Sequence, residues 1–574
     1  MKSKSLFIFI NILCCSLLIS APLQNVPIKL TQPDGREILC YASGDEFYNW
    51  VHDSLGNIIV KDSISKYYCY MLKNSDSLVI IGEKTDVQSQ FEKNPKDYQN
   101  ERNKNIQLYN QIEKKPYIFR PSTNRNSCTI NNLVIYITFY DQTDFTSTER
   151  QSIGSKFIDS TTNANSMKQY FWESSYHQLK VNSTFYPNIT NVYSYHDIFP
   201  RDFYCPYSQD NPIGYDTASA TQRRQREESL IIRAISYVEN QIPSTLNLDS
   251  DNDGNVDNIC FVIKGETTEW NELLWPHKSS LSQDVSIHQK NVYNYIFLLS
   301  DYLIVRVICH EFGHTLGLPD LYHYSKDVLG HEWKPVGTWD LMSTTSNSLV
   351  QTSGYMKNEY LHWINNIPEI SQSGRYTLSP MITSQQGYKI HMAGSSEYLY
   401  LENRNKSLPY DTSLPNSGLL IYRINPEKPG NCDAVECGGL NDRIYLYRPG
   451  GNFLSDGNLS LAPFCEELNA ITFNQFTNPS EFLSNGNFGN IFISNVSACD
   501  SIVSFDVKIC SSEDVIYNQN SNIPSYTTAK TITTTGNINI NDNTIFEASE
   551  SIILKDGFKV TNGNSFKACV KACE

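Results

Sequence analysis

Hydrophobic positions along the chain fall into successive regimes, each with its own period. From residue 22 to about 120, short apolar runs alternate with turn signals at PDG (33 to 35) and SLGN (54 to 57), which predicts a small β-rich module. Its end, 92 to 127, is polar and rich in Lys and Asn, and reads as a linker. Beyond 128, LVIYITF (133 to 139) and NICFVIKG (258 to 265) are β-branched and almost continuously apolar, as strands buried on both faces are. Between them ERQSIGSKFIDS, NSMKQYFWESS and ESLIIRAISYVENQI carry helical spacing, so 128 to 375 is expected to be an α/β domain. From 376 to 510 the pattern becomes strand, turn, strand in YLYLENR, GLLIYRI, IYLYRPG and SIVSFDVKI, which predicts a β-sandwich. A Ser, Asn and Thr linker then leads into TITTTGNINI, SIILKDGF and SFKACVKAC, a small β-rich tail over 511 to 574.

The first residues fit none of these regimes. Lys2 and Lys4 precede the apolar run LFIFINILCCSLLISA (6 to 21), too short for a comfortable span and ending in small residues. Residues 1 to 21 therefore read as a signal peptide for bacterial export, and the mature protein is expected to be secreted or extracellular. Lipidation at Cys14 or Cys15 is the alternative, against which stand the bulky residues ahead of them. No later stretch is apolar enough to span a bilayer.

Chemistry concentrates in HEFGHTLGLPD, 310 to 320. On a helix, His310 and His314 stack on one face and offer two nitrogens to one metal. Catalytic zinc takes three protein ligands and keeps a fourth position open. Gly317 permits a left-handed exit from the helix and Pro319 prevents its continuation, so Asp320 can fold back as the third ligand. Glu311, beside the first His, is placed to hold a water at the metal and take its proton as general base. The preceding YLIVRVIC (302 to 309) suits a buried helix, although its β-branched residues equally suit a strand. Downstream, GTWDLMS (337 to 343) offers a tight turn whose Met342 suits an apolar floor under a metal site. His323 and His331 are competing ligands with poorer spacing than Asp320.

HExxHxxGxxD followed by a WDLM turn resembles the immune inhibitor A family of secreted, metzincin-like zinc metallopeptidases. NNLVIYITFYD, MKQYFWESSYHQLKVNSTFYP, DSDNDGNVDNICFVIKG, LWPHKSSL, YLYLENRNK and GLLIYRINP are similar to segments of that family in its order, so the likeness spans most of 125 to 430. It implies His310, His314 and Asp320 as zinc ligands, Glu311 as catalytic base and Met342 as the Met-turn. It also implies that 22 to 127 is a removable prosegment. Many metzincins use a third His where this chain has Asp320, and some place a Tyr two residues after the Met, where Thr344 stands here. No Tyr is therefore assigned to oxyanion stabilisation. The tail resembles β-rich modules at the ends of secreted bacterial proteins, which implies attachment or sorting at the cell surface.

A second candidate metal site is DSDNDGNVD, 249 to 257. Asp249, Asp251 and Asp253 at alternate positions, with Asn255 and Asp257, offer the hard oxygens that calcium prefers. Cys260 stands where an EF-hand needs its bidentate Glu, so an EF-hand is excluded, and the competing reading is an acidic turn capped by its own backbone. Elsewhere, WPH (275 to 277) reads as a turn held by a packed Trp, and RRQR (223 to 226) with Glu227 and Glu228 as a solvated helix face. Of 15 cysteines, Cys14 and Cys15 lie in the export segment. Cys432 with Cys437 and Cys569 with Cys573 are local bridge candidates, Cys260 and Cys309 read as buried thiols, and Cys40, Cys69 or Cys128 could block a zinc from the prosegment.

At 574 residues with 40% hydrophobic content the chain can build several cores, and its net charge of -15 disfavours nucleic acid as a partner. The expected activity is zinc-dependent endopeptidase action on protein or peptide substrates, from a zymogen. The alternative is a non-catalytic surface adhesin with a structural metal site, against which the motif's Glu argues, since a structural site needs no base.

Overall fold

The computed structural model describes residues 23–44, 48–62, 64–73, 77–82, 91–93, 129–265, 273–323, 333–343, 348–428, 430–431, 442–499, 501–509 and 514–570. The stretch read as a signal peptide, most of that read as a linker, Cys128, His331, Thr344, the Cys432 and Cys437 loop and Cys573 lie outside these residues. The chain forms two compact units that divide between Leu318 and Pro319.

In the first unit, six antiparallel strands from Leu23–Thr31 to Leu78–Ile80 pair in sequence order. The two turn signals act as read. Gly35 and Gly56 take φ of 85° and 82°, and the Gly56 amide closes its turn on the Asp53 carbonyl at 3.0 Å. Cys40 and Cys69 are buried in this sheet's own core. The strand Leu23–Thr31 packs against the turn Ser300–Tyr302, and Lys66 pairs with Asp210 at 3.2 Å.

The rest of the first unit is a mixed α/β layer. Its sheet runs in the order His277–Ser280, Asn294–Leu299, Asn258–Ile263, Thr129–Thr138, Lys180–Tyr186, with Tyr195–His196 also on Thr129–Thr138. All neighbours are parallel except the edge strand His277–Ser280, which is antiparallel to Asn294–Leu299. The two apolar runs read as core strands are the centre of this sheet, where every side chain of Asn258–Ile263 is buried. The three segments with helical spacing form Ser147–Ile158, Met167–Ser174 and Ala220–Val238. Thr146 begins the first with a capping box to Glu149, and Ser166 and Ser219 cap the other two.

The helix Ala220–Val238 corrects one expectation. Its RRQR stretch is not a solvated face: Glu227 and Glu228 are buried, and Arg226 donates to the carbonyls of Phe203, Ile213 and Gly214. Arg224 pairs with Glu228 at 3.0 Å, and Glu228 accepts from the Ser282 amide and hydroxyl. Charge alone reads as solvent exposure, and only tertiary partners reveal otherwise.

The second unit contains two antiparallel sheets, Gly374–Leu378 with Val503–Ile509 and Ile491–Ser494, and Tyr388–His391 through Tyr398–Arg404 and Gly418–Ile424 to Ile444–Leu446. Leu378, Phe505 and Val507 from one and Leu399, Leu401 and Ile421 from the other share one apolar core. Cys465 and Cys499 form a disulfide, a pairing that local spacing did not indicate. The tail is built differently from a meander. Asp514–Asn518, Tyr526–Thr535, Thr544–Leu554 and Phe566–Val570 stack in parallel, and Ile538–Ile540 pairs in parallel with Phe558–Val560. Among the described residues no helix is long and apolar enough to cross a membrane.

Candidate metal and peptidase site

The ambiguous run before the motif resolves as a helix, Val305–Thr315, all of whose residues are buried. It starts only after Leu303 and Ile304, and the run's β-branched residues are tolerated because packing outweighs their propensity. Phe312 meets Phe171 of Met167–Ser174 with ring centroids 4.9 Å apart. In the same last turn the Thr315 hydroxyl donates to Asn258 Oδ1 at 2.9 Å; Asn258 Nδ2 donates to Asn132 Oδ1 at 2.7 Å, and Asn132 Nδ2 to Ser183 Oγ at 3.0 Å. This polar row crosses three strands and ties the helix to the sheet in register.

The helix stops in a Schellman turn. Gly317, at φ 94°, donates to the His314 carbonyl at 3.1 Å, and the Leu318 amide donates to the Gly313 carbonyl at 3.0 Å. The turn thereby presents the Leu318 carbonyl to His314 Nδ1 at 2.7 Å. An imidazole bonded in this way through Nδ1 carries its proton there and leaves Nε2 as a lone pair. His314 Nε2 lies 3.1 Å from His310 Nε2, with the rings nearly perpendicular at 88°. Burial, together with the neighbouring His310 imidazole, holds His314 well below the usual histidine range, so it is neutral.

Ligand-type atoms of His310, His314 and Asp320 all lie within 4.8 Å of one another, and all three residues are buried. Two imidazoles with one carboxylate suit a borderline-soft transition metal better than calcium or magnesium, which prefer oxygen alone. Glu311 is wholly buried on the same helix. His323, the competing ligand, is committed elsewhere: its Nε2 bonds Asp442 Oδ1 at 2.6 Å. The residue after Asp320, Leu321, donates its amide to the Met342 carbonyl at 2.8 Å. Met342 is wholly buried, and its own amide donates to Asp340 Oδ1 at 2.8 Å.

These residues fall inside a match to a known family. Residues 265–368 match the immune inhibitor A peptidase M6 catalytic domain. Over this segment the chain is immune inhibitor A-like. A metal-dependent peptidase is the activity that the match supports. It takes in the motif helix, Asp320 and Met342, and leaves outside it the flanking segments before 265 and after 368 that also carry the sequence resemblance. No curated protein matches the chain.

One feature of this peptidase segment lies beyond the reach of its motif. The His277 ring, on the edge strand His277–Ser280, is fixed on both sides: Nδ1 bonds the Trp275 carbonyl at 2.7 Å and Nε2 bonds Glu227 Oε1 at 2.9 Å. The turn is held by its wholly buried Trp, as the sequence indicates. Glu227 also accepts from the Tyr295 hydroxyl. Burial opposes charge on both partners, yet each carboxylate–imidazolium attraction prevails. His277 is held above its ordinary value and Glu227 below its own. Fifty residues separate Glu227 from His277, so no local spacing could reveal the pair.

The acidic loop 249 to 257 is drawn together only in part. Carboxylate oxygens of Asp249, Asp251 and Asp257 lie within 4.8 Å of one another, a group that does not include Asp253. Lys290 Nζ pairs with Asp249 at 2.8 Å, and Asp249 accepts the Asp253 and Gly254 amides. Asp257 accepts from the Ser250 amide and Asp253 from the Asn255 amide. These bonds account for the loop as a turn capped by its own side chains, and nothing among them favours calcium.

Proposed function

We propose that the protein is a secreted zinc endopeptidase that hydrolyses peptide bonds in extracellular proteins and is made as a zymogen. The observation that carries the reading is the pairing of His310 and His314 through Nε2 at 3.1 Å, with the Asp320 carboxylate beside them, inside a peptidase family match. In this reading His310, His314 and Asp320 hold the zinc, and the Leu318 carbonyl keeps His314 in the tautomer that can do so. Zinc supplies Lewis acidity and brings a water to a pKa of about 7. Glu311 takes the proton of the attacking water on its carboxylate and returns it to the leaving amine. Met342 closes the floor of the site, as the Met-turn of the resemblance implies.

Secretion is supported by the Cys465 to Cys499 disulfide, since such bonds persist in oxidising compartments. The zymogen reading is supported by the packing of Leu23–Thr31 against Ser300–Tyr302, the turn that leads into the motif helix. Association with the cell surface through the tail belongs to the same proposal.

The test is zinc content by mass spectrometry coupled to casein hydrolysis, before and after removal of residues 22 to 127, with Glu311→Gln as control. We expect one zinc per chain, activity that appears on removal, and a loss of about 10²–10⁴-fold in Glu311→Gln with zinc retained. Zinc retention with near-normal activity in that variant would refute the base assignment. Zinc without any proteolysis would point instead to a structural site.

A further inference from the structure

The second unit contains a cavity of about 520 Å³ that the peptidase reading does not use. Its wall comes from the loops around residues 393, 474 and 486, and from Lys530 on the first long strand of the tail. That volume is in the range of small-molecule sites. The lining is unusual for a surface hollow in three ways.

Two phenylalanines flank it and stay in contact with water: Phe476 is 68% exposed and Phe488 is 45% exposed. Gln475, Asn487 and Asn490 contribute carboxamide residues, each both donor and acceptor. The third feature is Glu481, which lines the cavity while itself showing no exposed surface. Its Oε1 accepts the Gly489 amide at 2.5 Å, whereas Oε2 makes no hydrogen bond of ordinary geometry among the described residues. Gly489 is needed for this approach: a Cβ there would stand 2.5 Å from Glu481 Oε1 and 2.7 Å from Met392 Cβ. Such a buried acceptor is costly unless something completes its bonding.

Of the lining residues, Glu481 and Lys530 are ionisable, which is too little charge to select a polyanion or a polycation. Exposed phenyl faces with amides between them match a molecule that alternates apolar C–H faces with hydroxyl edges. We propose that this cavity is a carbohydrate-binding site, in which a sugar ring packs on Phe476 or Phe488 and its hydroxyls bond Glu481 and the neighbouring amides. Burial raises the Glu481 carboxyl to about 8 against the pull of the Gly489 and Asn490 amides. It is therefore protonated near neutrality and can donate to a sugar oxygen as well as accept. A peptidase with such a site would be held on glycosylated proteins independently of its catalytic residues.

The experiment is binding of the purified full chain to a glycan array of N-glycans, mucin-type O-glycans and N-acetylglucosamine oligomers, with unglycosylated casein peptides as competitors. We expect at least one glycan class to bind with a Kd in the micromolar to millimolar range. Phe476→Ala and Glu481→Gln should each weaken it about tenfold or more, with casein hydrolysis unchanged. Phe476 is an exposed side chain, so that variant keeps its fold even if Glu481→Gln does not. Absence of glycan binding, binding that both variants retain, or displacement by the unglycosylated peptides would each overturn the proposal. Failure here leaves the peptidase reading intact, because hydrolysis is read separately.

Discussion

The Leu318 carbonyl lies 2.7 Å from His314 Nδ1, and it is there because Gly317 turns the chain at φ 94°. A backbone conformation thus sets the tautomer of a candidate ligand. Gly317→Ala would force a side chain into the left-handed region at about 1–2 kcal/mol and shift the Leu318 carbonyl. We expect the variant to lose that much stability in urea unfolding and to bind zinc more weakly in chelator competition. Unchanged zinc affinity would mean that His314 is oriented by something other than this turn.

Asp320 and His323 offer a clean contrast. Asp320→Ala removes a carboxylate from the candidate ligand cluster and should weaken zinc binding by about tenfold or more, with modest effect on folding. His323→Ala should do the reverse. It breaks the buried pair with Asp442, at about 3–5 kcal/mol, and leaves zinc affinity near that of the parent. Equilibrium zinc titration and urea unfolding on both variants separate the two roles. If zinc affinity falls in His323→Ala and not in Asp320→Ala, the ligand set is wrong.

The HExxH spacing and the Gly317 and Pro319 exit were legible because a helix face and its termination are local properties, written within a few residues. The same holds for the two core strands, whose continuous apolar runs suit burial on both faces. What escaped was non-local. The Glu227 and His277 pair, and the burial of Glu228 against Ser282, place charges inside a segment that charge density alone marks as solvated. The parallel stacking of the tail did leave a signal. Ile532 pairs beside Ile552 and Ile545 beside Lys567, a repeat of roughly twenty residues that is hard to see in short β runs with Thr and Asn. In the acidic loop, ligand density could not show that Lys290 pairs with Asp249 from outside the motif.

The Glu227 and His277 pair makes stability depend on pH from both sides. His277 is held above its ordinary 6.5, so its contribution is complete below that value and is lost as pH rises through the raised one. Glu227 is held below its ordinary 4.5, so its contribution is complete above that value and is lost as pH falls through the lowered one. The pair should therefore stabilise most between 4.5 and 6.5, modulated by Arg223 near Glu227 and Glu311 near His277. Glu227→Gln should cost about 3–5 kcal/mol in that window and flatten the profile. Urea midpoints measured across pH for both proteins decide it, and parallel profiles would show that the pair contributes nothing pH-dependent.

The polar row from Thr315 through Asn258 and Asn132 to Ser183 yields the last prediction. Asn258 shows no exposed surface and sits between a helix and a neighbouring strand, so its amide satisfies two partners at once. Replacing it by Leu keeps volume but removes the acceptor of the Thr315 hydroxyl and leaves Asn132 Oδ1 with the weaker Cys260 thiol donor, at about 1–3 kcal/mol in all. Thr315 ends the helix that carries His310, Glu311 and His314, so loosening it there should also broaden the ligand geometry. We expect Asn258→Leu to lower both the urea midpoint and the zinc affinity. The paired change of Asn258 and Asn132 to apolar residues should recover part of the stability, because fewer buried groups are then left unmet. If the double variant is no more stable than the single one, the row acts only as packing, and the motif helix is held by apolar contacts such as that of Phe312 with Phe171.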